Sequence, residues 1–282
     1  MSIKKTLHKM GIRALIIWIP VILIVFYSLF PLVWAFITSI KPTEEIHTQR
    51  VKYWSNNPTL DNYIRVLGRT DFPRQFLNSM IVSAGTTVFC VALSITASYA
   101  FSRFRFRGST SLKKFFLASQ MFPKVLVIIP LFIIMRNLRL LNTRISLILA
   151  YASFSLPYVV YMLLGYFMGI AQELDEAATV DGCSRTGILF RIVLPLAIPG
   201  IVATAIYAFI NAWNELMFAV MFTSTREMRT LPVGLNSYIG EYGIEWGMMC
   251  AAGIMTAVPV ILLFMFLQKY LIAGMTAGGV KG

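Results

Sequence analysis

Charge is what this sequence has least of. Only 13% of its 282 residues are charged, about half of the roughly 25% usual in a soluble domain. Acids are scarcer than bases, 12 against 25, which leaves a net charge of +13. There are two histidines, His8 and His47, far apart, and three scattered cysteines, Cys90, Cys183 and Cys250. That pattern excludes a disulfide framework and a CxxC metal site, and it leaves no histidine cluster for catalysis. We expect no catalytic residue and no metal ligand. A GxxxxGK[ST] phosphate loop is also missing, and the dipeptide Gly-Lys never occurs. The nearest look-alike, AGGVKG at the end, has Val280 before Lys281 and no following Ser or Thr. No cofactor is expected on this chain.

Apolar residues are abundant, at 57%. Six stretches stand out: Ala14 to Ile40, Phe76 to Ser102, Phe115 to Met135, Ile145 to Ala171, Ile198 to Phe222, and Gly247 to Gln268. Lys124 interrupts the third and Glu215 the fifth; the others are uncharged. In lipid each backbone amide must be satisfied within its own segment, so runs of this length are helices. The expected fold class is all-α integral membrane with six transmembrane helices. The opening MSIKKTLHKMGIR precedes an apolar run longer than the ~7–15 residues of a signal-peptide core, and it reads as a retained first span.

A strongly basic chain can bind nucleic acid, but these bases sit in loops between apolar runs, so orientation in the bilayer is the better reading and no nucleic acid is expected. Lys4, Lys5, Lys9 and Arg13 precede the first span with no acid among them. Arg103, Arg105, Arg107, Lys113 and Lys114 follow the second, again without an acid. The positive-inside rule puts both clusters, and with six spans both termini, in the cytoplasm. The outer segment 41–75 counts against this with six bases, offset by Glu44, Glu45, Asp61 and Asp71.

Between the fourth and fifth runs lies EAATVDGCSRTGILFRIVLP, Glu176 to Pro195. Gln172 to Val180 is rich in helix formers, Gly182 can take the left-handed conformation that ends a helix, and Ser184 can cap a second one. That helix should stop near Leu194, because Pro195 lacks a backbone donor. The local reading is a helical hairpin over 172–195, either a docking lever with a small-residue Ala177–Ala178 surface or a solvated connector. Glu176-Ala177-Ala178, three residues, Gly182, nine residues, then Ile192-x-Leu194-Pro195 resembles the EAA signature of permease subunits of ATP-binding-cassette importers.

The resemblance covers nearly the whole chain. NPTLDNY at 57–63, WNE at 213–215, TLPVGL in the 223–246 loop and the terminal GMTAGGVKG are similar to the maltose-type, sugar-importing branch. It implies the type I importer (MetI-like) permease fold, in a bacterial inner membrane and surrounded by lipid. It further implies three regions: 1–75 with the first span and an external loop, a permease core over 76–269, and a cytoplasmic tail over 270–282. Glu176, Ala177, Ala178, Asp181 and Gly182 would dock on the ATPase, and Gly278, Gly279 and Lys281 in the tail would touch it. Implied partners are a second homologous permease subunit, two copies of the ATPase (which binds ATP and Mg), an extracytoplasmic solute-binding protein and a carbohydrate. A polyol or glycerol phosphate is the alternative cargo.

Read from the residues alone, Tyr207, Asn211, Asn214 and Phe218 recur at helical spacing, with Glu215 beside them. Buried polar groups in a membrane face a cavity or a partner, so this stripe is the candidate translocation path, with polar adhesion between helices as the other reading. Lys124 lies nine residues past Phe115, about 14 Å along a helix. Pro123 beside it should kink the span, and Lys124 can pair with Glu215. In the rival reading, a proton-coupled secondary transporter, that pair carries the proton.

Overall fold

The computed structural model describes residues 2–48, 50–240 and 243–279, with side chains over 16–48, 50–239 and 244–270. The chain divides into two compact units, Met1–Thr70 with Tyr238–Met255, and Asp71–Ser237 with Thr256–Gly282.

In the first unit the basic opening segment and the uncharged run after it fold as one long helix, Ser2–Ser39. Its membrane-length part, Ile16–Ser39, has a mean hydropathy of 2.5, and it is buried only at its end, at Ile37, Thr38 and Ser39. The helix end is held by NPTLDNY. Asn62, 3% exposed, donates to the carbonyls of Ser39 and Lys41, both at 2.9 Å. Those are among the carbonyls a helix leaves without an internal partner. The Tyr63 hydroxyl meets Ser39 Oγ at 2.7 Å, and Gly247 lies so close that a Cβ there would sit 2.8 Å from the Asn62 amide. Residues Ile239–Gly240 and Gly243–Ile244 pair as two short antiparallel strands, a small departure from the all-helical expectation.

The second unit is built on three packed helices, Phe72–Arg103, Arg144–Met168 and Ile198–Trp213. Along Phe72–Arg103 the buried face carries Ser79, Ser83, Thr86, Cys90, Ser94 and Ser98 at steps of three and four. Without a hydrophobic drive between helices in lipid, small side chains allow the close approach that does the packing. Contact with Arg144–Met168 is that close: Ser98 Oγ donates to the Val160 carbonyl at 2.8 Å, and a Cβ on Gly85 would be 2.7 Å from Ile148 Cδ1. At the other end of the same helix Asn78, fully buried, donates to the carbonyls of Glu227 and Arg229 at 2.8 and 2.9 Å and accepts from Arg144 Nε at 2.9 Å. It thereby ties the 223–237 segment down.

Among the described residues four helices are individually long and apolar enough to cross a membrane, and two bent pairs bring the count to as many as six. The third expected run is broken rather than kinked. Helices Ser109–Ser119 and Lys124–Asn137 meet at 104°, with Pro123 extended at the start of the second. The fifth run is not one helix to Phe222 either. It stops at Trp213 and resumes as Met217–Phe222.

Candidate functional site

The hairpin is built as its residue types require. Helix Glu173–Val180 has Glu173, Asp175 and Glu176 in its first turn, where the positive end of the helix dipole favours acids. It ends at Gly182, with φ +81°. The Cys183 amide donates back to the Ala178 carbonyl at 2.9 Å and Gly182 to Thr179 at 3.1 Å, the αL closure that glycine allows. Ser184 Oγ then accepts from the Gly187 amide at 3.1 Å and caps Arg185–Ile188. Pro195 does not stop this helix. A wider π turn over Leu189–Val193 makes room for its ring, and the chain runs on to Leu196. The break falls at Ala197, where the axis bends by 78° into Ile198–Trp213.

Glu176, Ala177, Asp181 and Gly182 are exposed on the hairpin. Ala178, expected on the docking surface with them, is buried beneath the hairpin. It is 6% exposed and packs under the hairpin against Phe167, Leu163, Tyr99 and Ile188, one of a pair of alanines that a helix turns to different faces. The most exposed large apolar side chains there are Val180 at 88% and Phe190 at 65%, with Leu174 at 44%. A partner surface would meet these first.

The contact that fixes the hairpin was not legible in the sequence. Arg103, at the end of Phe72–Arg103, donates to Asp175 Oδ2 at 2.8 Å and to the carbonyls of Phe167 and Ile170 at 3.2 and 3.1 Å. Its side chain is 6% exposed. One guanidinium thus holds the end of one membrane helix, the end of a second and the first turn of the hairpin. Arg185 lies 4.9 Å over the Phe104 ring, and the Tyr99 hydroxyl reaches the Arg185 carbonyl at 3.4 Å.

The polar stripe on the fifth run divides. Lys124, Asn211, Asn214 and Glu215 line one recess of about 330 Å³, together with Ile210 and Met217. Phe218 is 1% exposed and stacks on Phe154, centroids 5.2 Å apart. Tyr207 stacks on Tyr158 at 4.3 Å, and neither Tyr207 nor Phe218 lines the recess. The helical period fails because Glu215 interrupts it. Its carboxylate accepts from the amides of Met217, Phe218 and Ala219 at 3.1 to 3.4 Å, replacing the helix bonds those amides would make. The amides of Asn211 and Asn214 donate to the carbonyls of Tyr207 and Ile210 on their own helix, at 3.0 Å each, rather than across an interface. Lys124 holds its ammonium 6.0 Å from the Phe154 ring centre. The two charges face one recess without forming an ion pair.

Helix Trp246–Gly279 includes Gly278 and Gly279, whereas Lys281 lies outside the described residues.

Residues 91–277 match the family described as binding-protein-dependent transport system inner membrane component. The chain is 38% identical over 255 residues to the sulfoquinovosyl glycerol transport system permease protein SmoH of Agrobacterium fabrum, covering 90% of each. It is 37% identical over 276 residues to the trehalose/maltose transport system permease protein MalG of Thermococcus litoralis, covering 96% of this chain and 98% of that one. Its fold is similar to that of a chain from a bacterial ABC transporter involved in import of the acidic polysaccharide alginate. The TM-score is 0.81 at 23% identity, over 93% of this chain and 97% of that one.

Proposed function

The chain belongs to the family of binding-protein-dependent transport system inner membrane components, and from that premise we propose that it is the permease subunit of an ATP-driven importer of di- or oligosaccharides. Subunits of this family are multi-pass inner-membrane proteins and do not themselves hydrolyse ATP. The chain has no phosphate loop of its own, so nucleotide and Mg belong to a separate ATPase. Its membrane part spans six times in this reading, counting each bent pair as one span, with both termini beside the two acid-free basic clusters in the cytoplasm. Carbohydrate rather than a polyol or glycerol phosphate is favoured by the relatives' names.

The observation that carries the reading is the hairpin clamped by Arg103. A lever that moves as one body with two membrane helices can convert closure of an ATPase into a change of access across the bilayer. Glu176, Ala177, Asp181 and Gly182 would form its docking face, with Val180 and Phe190 as apolar contacts. The recess of Lys124, Asn211, Asn214 and Glu215 would line the path, and the amide oxygens and the ammonium there suit sugar hydroxyls. A second homologous subunit, two ATPase copies, a solute-binding protein and a tail contact through Gly278, Gly279 and Lys281 complete the assembly.

A mild-detergent pull-down of tagged chain from its native host tests this. An ATPase and a second multi-span protein should accompany it. A chain that comes down alone, and still transports in ATP-free vesicles under a proton gradient, would sink the importer reading in favour of a secondary transporter.

Glu215 separates the two uses of its carboxylate. Glu215→Gln keeps an oxygen for the Met217 to Ala219 amides and should transport at close to the wild-type rate. Glu215→Ala removes the cap, at a cost of about 1 kcal/mol, and should transport several-fold more slowly. If Gln falls as far as Ala, the charge facing Lys124 matters rather than the cap.

A further inference from the structure

The first unit holds a recess of its own. It is a groove of about 520 Å³ beside the end of the first helix. Phe30, Pro31, Trp34 and Ala35 form its apolar end, within the last ten residues of the membrane-length segment. Lys41, Glu45 and Lys52, just past the helix, form the polar end. Trp34 and Trp246 both line it, and tryptophan favours the boundary between acyl chains and headgroups.

The charges at the polar end do not cancel. Lys41 is 4% exposed, yet its ammonium has one oxygen acceptor among the described residues, the Lys52 carbonyl. The Trp34 ring covers it at 4.9 Å. An ammonium has three donors, so at least one is left over. Glu45 is already engaged: its carboxylate accepts from the Asn56 amide at 3.1 and 3.2 Å and lies 3.8 Å from Lys52 Nζ. The Ser55 hydroxyl, the Asn56 amide and the two lysines hold its carboxyl below the usual range, so it stays ionised. Two ammoniums against one occupied carboxylate leave a net positive pocket at the head of an apolar trough.

We propose that this groove holds one anionic glycerophospholipid, with acyl carbons along Phe30, Pro31, Trp34 and Ala35 and the phosphate accepting from Lys41 and Lys52. A free anion or a sugar would leave the apolar end unfilled, and a zwitterionic lipid would bring its own cation to the two lysines. The bound lipid would brace the polar segment of Lys41, Glu45 and Lys52 against the end of the first helix.

Native mass spectrometry of the full chain released from detergent tests this, with dioleoyl phosphatidylglycerol and dioleoyl phosphatidylcholine titrated separately. The wild type should retain one phosphatidylglycerol about fivefold or more in preference to phosphatidylcholine, the preference roughly one basic side chain confers at an anionic headgroup. Lys52→Gln leaves the buried Lys41 network intact and should erase the preference. Ala35→Trp fills the trough and should lower retention of both lipids. Equal retention of the two lipids by wild type, or an unchanged preference in Lys52→Gln, overturns the proposal. So does a photoreactive side chain at position 35 in intact membranes that labels a second membrane subunit instead of lipid; the groove is then a protein contact.

Discussion

Arg103→Met is expected to uncouple the hairpin from the membrane helices and to abolish ATP-driven transport. The guanidinium is nearly buried and satisfies three acceptors, Asp175 Oδ2 and the carbonyls of Phe167 and Ile170. Removing one member of a buried ion pair costs about 3–5 kcal/mol, because the other charge is left without compensation. A recess of about 280 Å³ opens beside Arg103 and Asp175 and admits some water, so the lower end of that range applies. Amide hydrogen exchange over 173–188 should quicken by on the order of a hundredfold at 3 kcal/mol, while exchange in the middle of Arg144–Met168 stays put. Replacing both partners, Arg103→Met with Asp175→Leu, should recover part of the lost protection, since paired apolar groups leave no orphan charge. Unchanged exchange and transport in the single variant would mean that the clamp does not hold the lever.

Gly182→Trp is expected to lose the ATPase from the purified assembly, and Gly182→Ala to lose much less. Both substitutions place an L side chain at φ +81°, which costs about 1–2 kcal/mol of backbone strain. No atom of the described residues lies within 4 Å of the Cβ position, so both side chains start into open space. The difference between the two variants therefore reads the space a partner needs. Co-purification with the ATPase, measured by mass spectrometry, should drop at least tenfold for Trp against roughly twofold for Ala, a contrast of about 1 kcal/mol. If Trp retains the ATPase at the wild-type level, the partner docks elsewhere.

What could be read in advance was local. Gly182 and Ser184 act on amides within a few residues, so their roles are visible in a short window of sequence. Pro123 likewise announces a weak point in the third run, although the 104° bend exceeds what a kink suggests. The failures have a common cause. Pro195 removes a donor but leaves open whether the helix ends or widens, and here a π turn absorbs it. Glu215 reads in the sequence as a neighbour of the periodic stripe; by capping the next helix it ends the period, and Phe218 turns into the core. Ala178 and Ala177 are indistinguishable until the hairpin has something to lie on. Arg103 and Asp175 are 72 residues apart, as Asn62 is 23 from Ser39, and hydropathy carries no memory over such distances. Arg103 was visible only as one more charge on the inner side.

The buried face of Phe72–Arg103 has a mechanical consequence. Its small side chains repeat about once per helical turn, and the hydroxyls of Ser83, Thr86 and Ser94 have no hydrogen-bond partner among the described residues. Those groups would surrender no hydrogen bond to a slide of the neighbouring helix, and a slip of one turn, about 5.4 Å, would bring each notch to where the next one stood. Ser98 is the pin in this slip plane, through its bond to the Val160 carbonyl. At the far end Asn78 keeps the 223–237 segment anchored. Between those ends the weak bond from Cys90 Sγ to the Ala152 carbonyl at 3.9 Å and Ile148 against Gly85 hold the contact more by fit than by hydrogen bonding, which is how a bearing differs from a weld.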